Sequence, residues 1–284
     1  MSKIAVVTDS AANIPASLLA QYRIHVVPLE IRFGRELLLD GIDITANQFY
    51  ARLRQVKEQL PTTSQPPVGK FFELYERLLG SCDAIVSVHV SGKLSGTLSS
   101  AEQAAHMLKD VPIRLVDSLS ASIGEGASVL AAARAVAAGR DLADVVTTAK
   151  NVAKKARIFC TVDTLKYLHM GGRIGSARAL LGTALQIKPI LQIYNGVVEA
   201  AGSARTRTRS LARMMDMAVE SAGGEGSRVR AAAISAQDPE GAEELKKRLQ
   251  ARLDCVELHT IDLTPTVGTH LGPGAIGVMV QPEE

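Results

Sequence analysis

The residues of this 284-residue chain best equipped for chemistry are hydroxyls gathered in short turns. The richest turn is Ser91-Gly92-Lys93-Leu94-Ser95-Gly96-Thr97, which follows a β-like run and opens a helix. Its two glycines let the backbone approach a ligand closely. The helix start offers free N–H groups and the positive end of the helix dipole. Ser95 and Thr97 add hydroxyl donors, a set suited to an oxygen anion. A second hydroxyl loop, Leu60-Pro61-Thr62-Thr63-Ser64-Gln65-Pro66-Pro67, is stiffened by three prolines. Two more turns, Thr8-Asp9-Ser10 and Asp117-Ser118, also close β-like runs. An isolated serine at a helix start is usually an N-cap. Several such loops at one sheet edge make capping alone a thin account, and a capped helix start can still bind an anion.

Signatures of catalysis are scarce. Ser91-Gly92-Lys93-Leu94-Ser95 lacks the first glycine of a P-loop, and Leu follows its Lys. There is no G-x-S-x-G nucleophile elbow and no H-E-x-x-H. The six histidines show no metal spacing, so neither zinc nor a catalytic residue is assigned. Asp9, Asp117 and Asp163 stand at strand ends where magnesium could bind, but no second acidic residue accompanies them and helix capping is preferred. His270, between glycines in an expected loop, could act as a base on Ser95 or hydrogen-bond an anion. His25, His89, His106, His169 and His259 read as ordinary strand or helix residues. Arg173, in Gly171-Gly172-Arg173-Ile174-Gly175, sits in a shaped loop that could aim its guanidinium at a carboxylate or phosphate. Arg205 stands out for its loop setting, although a lone Arg is most often a solvated surface charge.

The elements that must position these residues alternate between strand and helix. Runs at Ile4–Val7, Ala84–Val90 and Ile113–Val116 interleave with helical patterns over Phe71–Leu79, Leu98–Leu108 and Ile123–Ala138. That is the pattern of a parallel sheet covered by helices. In such a sheet, ligands sit beyond the carboxyl ends of the strands. A further helix over Leu142–Lys154 leads to a composition change, so the division falls between residues 1–156 and 157–284. The second part mixes strands at Ile158–Val162, Arg230–Ser235, Val256–Ile261 and Ala275–Val280 with helices over Ser210–Glu220 and Pro239–Leu253.

Hydrophobic residues make up 46% and charged residues 21%, the balance of a globular protein with a substantial core. Aromatic residues are only 4%, so that core must be aliphatic. A net charge of +3, with Arg and Lys mostly dispersed, is no nucleic-acid signature, though it leaves room for a basic patch facing a membrane surface or acidic partner. Cys82, Cys160 and Cys255 are unpaired by spacing and read as small buried hydrophobes in a reducing compartment. The stretch around Ala127 to Ala138 is broken by Arg134 and too short to cross a bilayer. The first apolar run is too short for a signal-peptide core. A soluble, cytoplasmic protein is expected.

Taken in order, seven motifs resemble one family. They are Thr8-Asp9-Ser10, Pro61-Thr62-Thr63-Ser64-Gln65-Pro66, Ser91-x-x-Leu94-Ser95-Gly96-Thr97, Val116-Asp117-Ser118, Gly171-Gly172-Arg173-Ile174, Lys188-Pro189-Ile190-Leu191 and His270-Leu271-Gly272-Pro273-Gly274. Each is weak alone. The ordered set resembles the DegV family of bacterial fatty-acid-binding proteins over about residues 4 to 280, with Pro67 a departure at the rim of its loop. The resemblance implies an α/β fold of two domains, an N-terminal three-layer parallel-sheet domain and a C-terminal mixed-sheet domain. It implies a long-chain fatty acid such as palmitate as bound ligand, with no other cofactor. Thr63 and Ser95 would hold the carboxylate, beside Thr62, with His270, Arg173 and Arg205 near the head group or a docking face. Some members present the fatty acid to a separate ATP-dependent kinase subunit that makes the acyl phosphate. The competing expectations are an acyl hydrolase using Ser95 and His270, and a regulator that senses acyl chains.

Overall fold

The computed structural model describes residues 3–56, 59–109, 111–182 and 187–283. The first part runs β1 (Ile4–Asp9), α1 (Ala16–Gln21), β2 (His25–Val27), β3 (Glu30–Phe33), β4 (Glu36–Leu39), α2 (Ala46–Leu53) and β5 (Thr62–Ser64). It continues with α3 (Val68–Leu79), β6 (Ala84–His89), α4 (Thr97–Met107), β7 (Ile113–Asp117), α5 (Ile123–Ala137) and α6 (Leu142–Lys155). The remainder runs β8 (Arg157–Thr161), α7 (Lys166–Met170), β9 (Lys188–Tyr194), β10 (Val197–Ala204), α8 (Arg207–Ala222) and β11 (Arg228–Ser235). It closes with α9 (Pro239–Arg252), β12 (Asp254–Asp262), α10 (Pro265–Leu271) and β13 (Ile276–Pro282).

Strands β1 and β6 are buried along their whole length, which is why they read as unbroken runs instead of alternating. They form the centre of a parallel sheet ordered β2-β1-β6-β7. A six-stranded sheet, β10-β9-β8-β13-β11-β12, takes all its strands from residues 157–282 and is mixed, with only β11 and β12 parallel among its pairs. The Ala-rich helix α5 lies between these sheets, touching β1 and β6 of one and β8 and β13 of the other. It is buried on almost every side, so its lack of a polar face follows from its place.

Two differences from the sequence reading matter for the site. Residues 62–64, expected as loop, are strand β5 in a small antiparallel sheet β4-β3-β5, with Thr63 opposite Ile31. The Pro265–Leu271 segment, also expected as loop, is helix α10. Pro265 in its first turn has the φ a helix start needs, and Gly272, at φ 75, ends it. Gly268 within it is there for packing, since a Cβ would lie 2.4 Å from the Tyr50 Oη. Strands β2 to β4 are not legible in the sequence, because runs of three or four residues carry almost no periodic signal, and the eight-residue helix α2 spans only about two turns.

Candidate functional site

A cavity of about 110 Å³ lies between the two large sheets at the N-terminal end of α5. Its floor is aliphatic: Ile158 and Cys160 of β8, Leu191 and Ile193 of β9, Val198 of β10 and Ile234 of β11. Ala11 and Val90 close it from just beyond the ends of β1 and β6. Thr63, Ser95, Arg173 and His270 bring polar groups into this lining.

Each polar residue arrives on a different element. Thr63 is held by the pairing of β5 with β3, and its Oγ1 lies 2.8 Å from Nε2 of His270 in the last turn of α10. The second ring nitrogen, Nδ1, is buried with no hydrogen-bond partner among the described residues. Burial, helped by the nearby Arg173 charge, lowers the His270 pKa to about 4, so the ring is neutral at pH 7. With its proton on Nε2, the imidazole donates to Thr63 and leaves the threonine hydroxyl free to donate to an anion. Ser95 sits 2.8 Å from the Thr97 hydroxyl and accepts a hydrogen bond from the Thr97 amide at 3.3 Å. The serine therefore supports the start of α4, whose cap residue Gly96 has no side chain to do so.

The loop that carries Ser95 is fastened from several directions. Ser91 donates to the Gly196 carbonyl at 2.8 Å and Lys93 to that of Asn195 at 2.9 Å, in the turn between β9 and β10. Arg173 donates from Nε to the Leu94 carbonyl at 3.0 Å and from Nη1 to that of Gly171 at 2.7 Å. Its guanidinium thus shapes the loop as well as bordering the cavity. Gln65 lies across Gly96, where a Cβ would be 3.1 Å from the amide carbon, so the two hydroxyl-rich segments touch.

The remaining sequence candidates fall elsewhere. Thr62 is exposed on β5, opposite Arg32, and Arg205 is exposed between β10 and α8; neither lines the cavity. The three strand-end turns do meet: Asp9 accepts from the Val90 amide, Asp117 from that of Gly92, and Ser118 donates its amide to the His89 carbonyl.

The acidic residues need a correction. Asp9 caps the 3-10 turn after β1, as expected, but it also faces the buried Glu125 of α5. Burial and the Asp9 charge raise the Glu125 pKa well above the usual carboxylate range. Asp163 pairs with Lys188 at 2.9 Å and Arg207 at 3.6 Å instead of capping a helix. His89 is likewise more than an ordinary strand residue. Its Nε2 is 2.7 Å from Ser87 and its Nδ1 is 3.0 Å from Asp9.

Sequence reasoning missed Cys160, Thr266, Ser122 and Gln192 in the cavity wall. Cys160 was expected to be a small buried hydrophobe; it faces the cavity, and burial pushes its thiol up to about 12. Ser122 combines a positive φ of 54° with a hydrogen bond to Asn13 at 3.3 Å. Its strain has no sequence signal.

Fold and site together define an α/β protein with an aliphatic cavity and a cluster of hydroxyl, imidazole and guanidinium groups in its wall. The DegV family model, described as "Uncharacterised protein, DegV family", matches residues 3–283, and the chain belongs to that family. Protein DegV of Bacillus subtilis is 37% identical over 276 residues, covering 97% of this chain and 98% of its own. A DegV domain-containing protein of Streptomyces coelicolor is also 37% identical, over 279 residues and 98% of each chain. Among solved structures, a Thermus thermophilus DegV family protein described by its fatty acid binding superposes with a TM-score of 0.93 at 33% identity, over 99% of this chain and 100% of that one. The crystal structure of the Bacillus subtilis protein, described as a fatty acid binding protein, has a TM-score of 0.90 at 35% identity over 100% of both chains. A stearic acid-binding protein from Eubacterium ventriosum gives 0.88 at 25% identity, over 99% of this chain and 98% of that one.

Proposed function

We propose that this protein binds a long-chain fatty acid, with its carboxylate on Thr63 and Ser95 and its acyl chain in the aliphatic cavity. The observation that carries this reading is the Thr63–His270 pair at 2.8 Å, in which a neutral ring can orient a hydroxyl toward an anion. Hydroxyl donors to a carboxylate make charge-assisted bonds about twice as strong as neutral ones, offsetting desolvation of the head group. Each buried methylene adds about 0.8 kcal/mol, so the tail dominates affinity while the hydroxyls set orientation. The family relatives described as fatty acid binding support the same ligand class.

The arrangement favours a carrier over a hydrolase. His270 pairs with Thr63, and Ser95 pairs with Thr97, so the serine has no base on it. Presentation of the acyl carboxylate to a separate ATP-dependent kinase subunit is the role we assign in the cell. It rests on the family resemblance and on Arg205, exposed and uncommitted to the cavity. Among the described residues no helix is long and apolar enough to cross a membrane. Transient contact with a membrane surface is favoured by exposed Met170 and Leu181 flanking the Arg173 segment.

The test is mass spectrometry of an organic extract from the purified, undelipidated protein. A stoichiometric fatty acid is the expected result, and its absence refutes the carrier reading. Thr63→Ala combined with Ser95→Ala should abolish retention of the head group, weakening palmitate at least about ten-fold while the circular dichroism spectrum is unchanged; unchanged binding would refute the head-group assignment.

A further inference from the structure

Thr63 and His270 are 207 positions apart, and nothing local holds one against the other. Thr63 rides on the small sheet β4-β3-β5, whereas His270 rides on α10, a seven-residue helix that could shift as a unit. One buried side chain joins the two. Asp40 stands directly after β4 and is 3% exposed. Its Oδ2 accepts from the Thr266 amide in the first turn of α10 at 3.3 Å. The same oxygen accepts from the Ser10 hydroxyl at 2.9 Å, and Ser10 Oγ in turn accepts from the Leu29 amide at 3.0 Å. Asp40 is tied to the same place by its own amide, which donates to the Leu29 carbonyl at 2.9 Å. Leu29 and Thr266 both line the cavity.

We infer that Asp40 is a positioning residue for the carboxylate site, locking α10 and hence His270 against the sheet that carries Thr63. The inference rests on the fatty-acid reading above. Keeping a carboxylate in this setting is otherwise hard to explain. Among the described residues no cation pairs with Asp40, and Asp9 is the charged group that acts on it most directly. Burial raises its pKa to about 6, with the hydrogen bonds from Thr266 and Ser10 opposing that rise. An isolated buried carboxylate is costly, whereas a neutral amide or an apolar residue would fill the space at lower cost. The charge strengthens its hold on the N–H of a helix start, where a negative group also meets the favourable end of the helix dipole. The buried Tyr50 packs against Gly268 within the same helix, giving α10 an aromatic contact besides its polar anchor.

The experiment compares palmitate with hexadecan-1-ol, which keeps the tail and removes the carboxylate, in titrations of the full-length delipidated protein at pH 8. Asp40→Asn preserves the size of the side chain. It should weaken palmitate about ten-fold, within the usual coupling range for residues in one network, and change hexadecanol less than about two-fold. Combined with His270→Ala it should weaken palmitate no further than His270→Ala alone, because Asp40 acts through the histidine. Equal losses for both ligands, or additive losses in the double variant, would overturn the inference. If Asp40→Asn does not fold, Ser10→Ala, which removes one donor and leaves the carboxylate, serves in the same comparison. It should lower palmitate affinity selectively, and equal loss for both ligands would again overturn the inference. A wild-type protein that binds both ligands equally refutes the carboxylate site itself, and this inference with it. A wild type that prefers palmitate alongside a variant that loses both ligands refutes the inference alone.

Discussion

His89 lies 2.7 Å from the hydroxyl of Ser87 and His270 lies 2.8 Å from that of Thr63, yet the two histidines do opposite work. His89 is fully buried, both its ring nitrogens are occupied, and the chain of contacts runs from Asp9 through His89 and Ser87 to the Tyr75 hydroxyl at 2.8 Å. On paper this is an Asp-His-Ser arrangement. None of Asp9, His89 and Ser87 lines the cavity, and Tyr75 seals the serine, so it is a satisfied polar core. Among the described residues His270 has no carboxylate partner and keeps one buried nitrogen unsatisfied, and it borders the cavity. An incomplete hydrogen-bond inventory beside a cavity, more than any particular set of residue types, is what separates a ligand site from a structural network.

Breaking each network should expose that difference. His89→Ala removes the ring that bridges Asp9 and Ser87, leaves the buried Asp9 carboxylate only the Ala11 and Val90 amides, and should cost about 3–5 kcal/mol in urea unfolding. Palmitate and hexadecanol binding should fall only to the extent that the protein unfolds. A stable His89→Ala variant with selective palmitate loss would reverse the assignment of the two networks.

The pH dependence of stability sharpens the comparison. His270 has its pKa lowered from 6.5 to about 4, so its contribution is fully present above pH 6.5 and is lost as pH falls toward 4. Asp40 has its pKa raised from 3.8 to about 6, so its contribution is full below pH 3.8 and is lost as pH rises through 6. Each amounts to about 3 kcal/mol at full shift, and between pH 4 and 6 they oppose each other. Asp40→Asn should therefore steepen the loss of stability on acidification from pH 6.5 to 4, and His270→Gln should reverse it. Chemical denaturation across that range checks both, and parallel profiles for the two variants would contradict the assigned shifts.

Smaller effects belong to the binding site. His270→Ala should weaken palmitate by about ten- to fifty-fold in the same ligand titrations. Gly171→Ala places a Cβ 2.4 Å from the His270 Nδ1, forcing the ring to move. It should weaken palmitate only a few-fold, on the order of 1 kcal/mol. An effect of Gly171→Ala larger than that of His270→Ala would mean that the loop rather than the ring governs the head group.

Much of this architecture can be read from local pattern. Ile4–Asp9 and Ala84–His89 announce themselves as buried strands, and the Ala-rich run at Ile123–Ala137 as a buried helix, because burial on all sides leaves no polar face. The end of α5 fell within one residue of the expected position, since Gly139 follows where the pattern stops. Thr63, Ser95, Arg173 and His270 could be picked out by motif order, although only the fold brings them to one cavity. Helix α10 was hidden because Gly268, Gly272 and Gly274 look alike in sequence. The first serves packing against Tyr50, while the other two supply positive φ. Asp40 and Glu125 were invisible for a different reason. A carboxylate in a sequence looks solvated until the chain closes around it.

By itself the sequence determined the chemistry available to this protein. It supplied hydroxyls at the ends of buried strands, an aliphatic core with few aromatics, and no activated nucleophile in any familiar motif. Which of those hydroxyls would gain a histidine, and which histidine would be sealed into the core, was decided only when residues 207 and 80 positions apart came into contact. The physical reason is that hydrogen-bond satisfaction and desolvation belong to the assembled surroundings of a group, and no local pattern carries them.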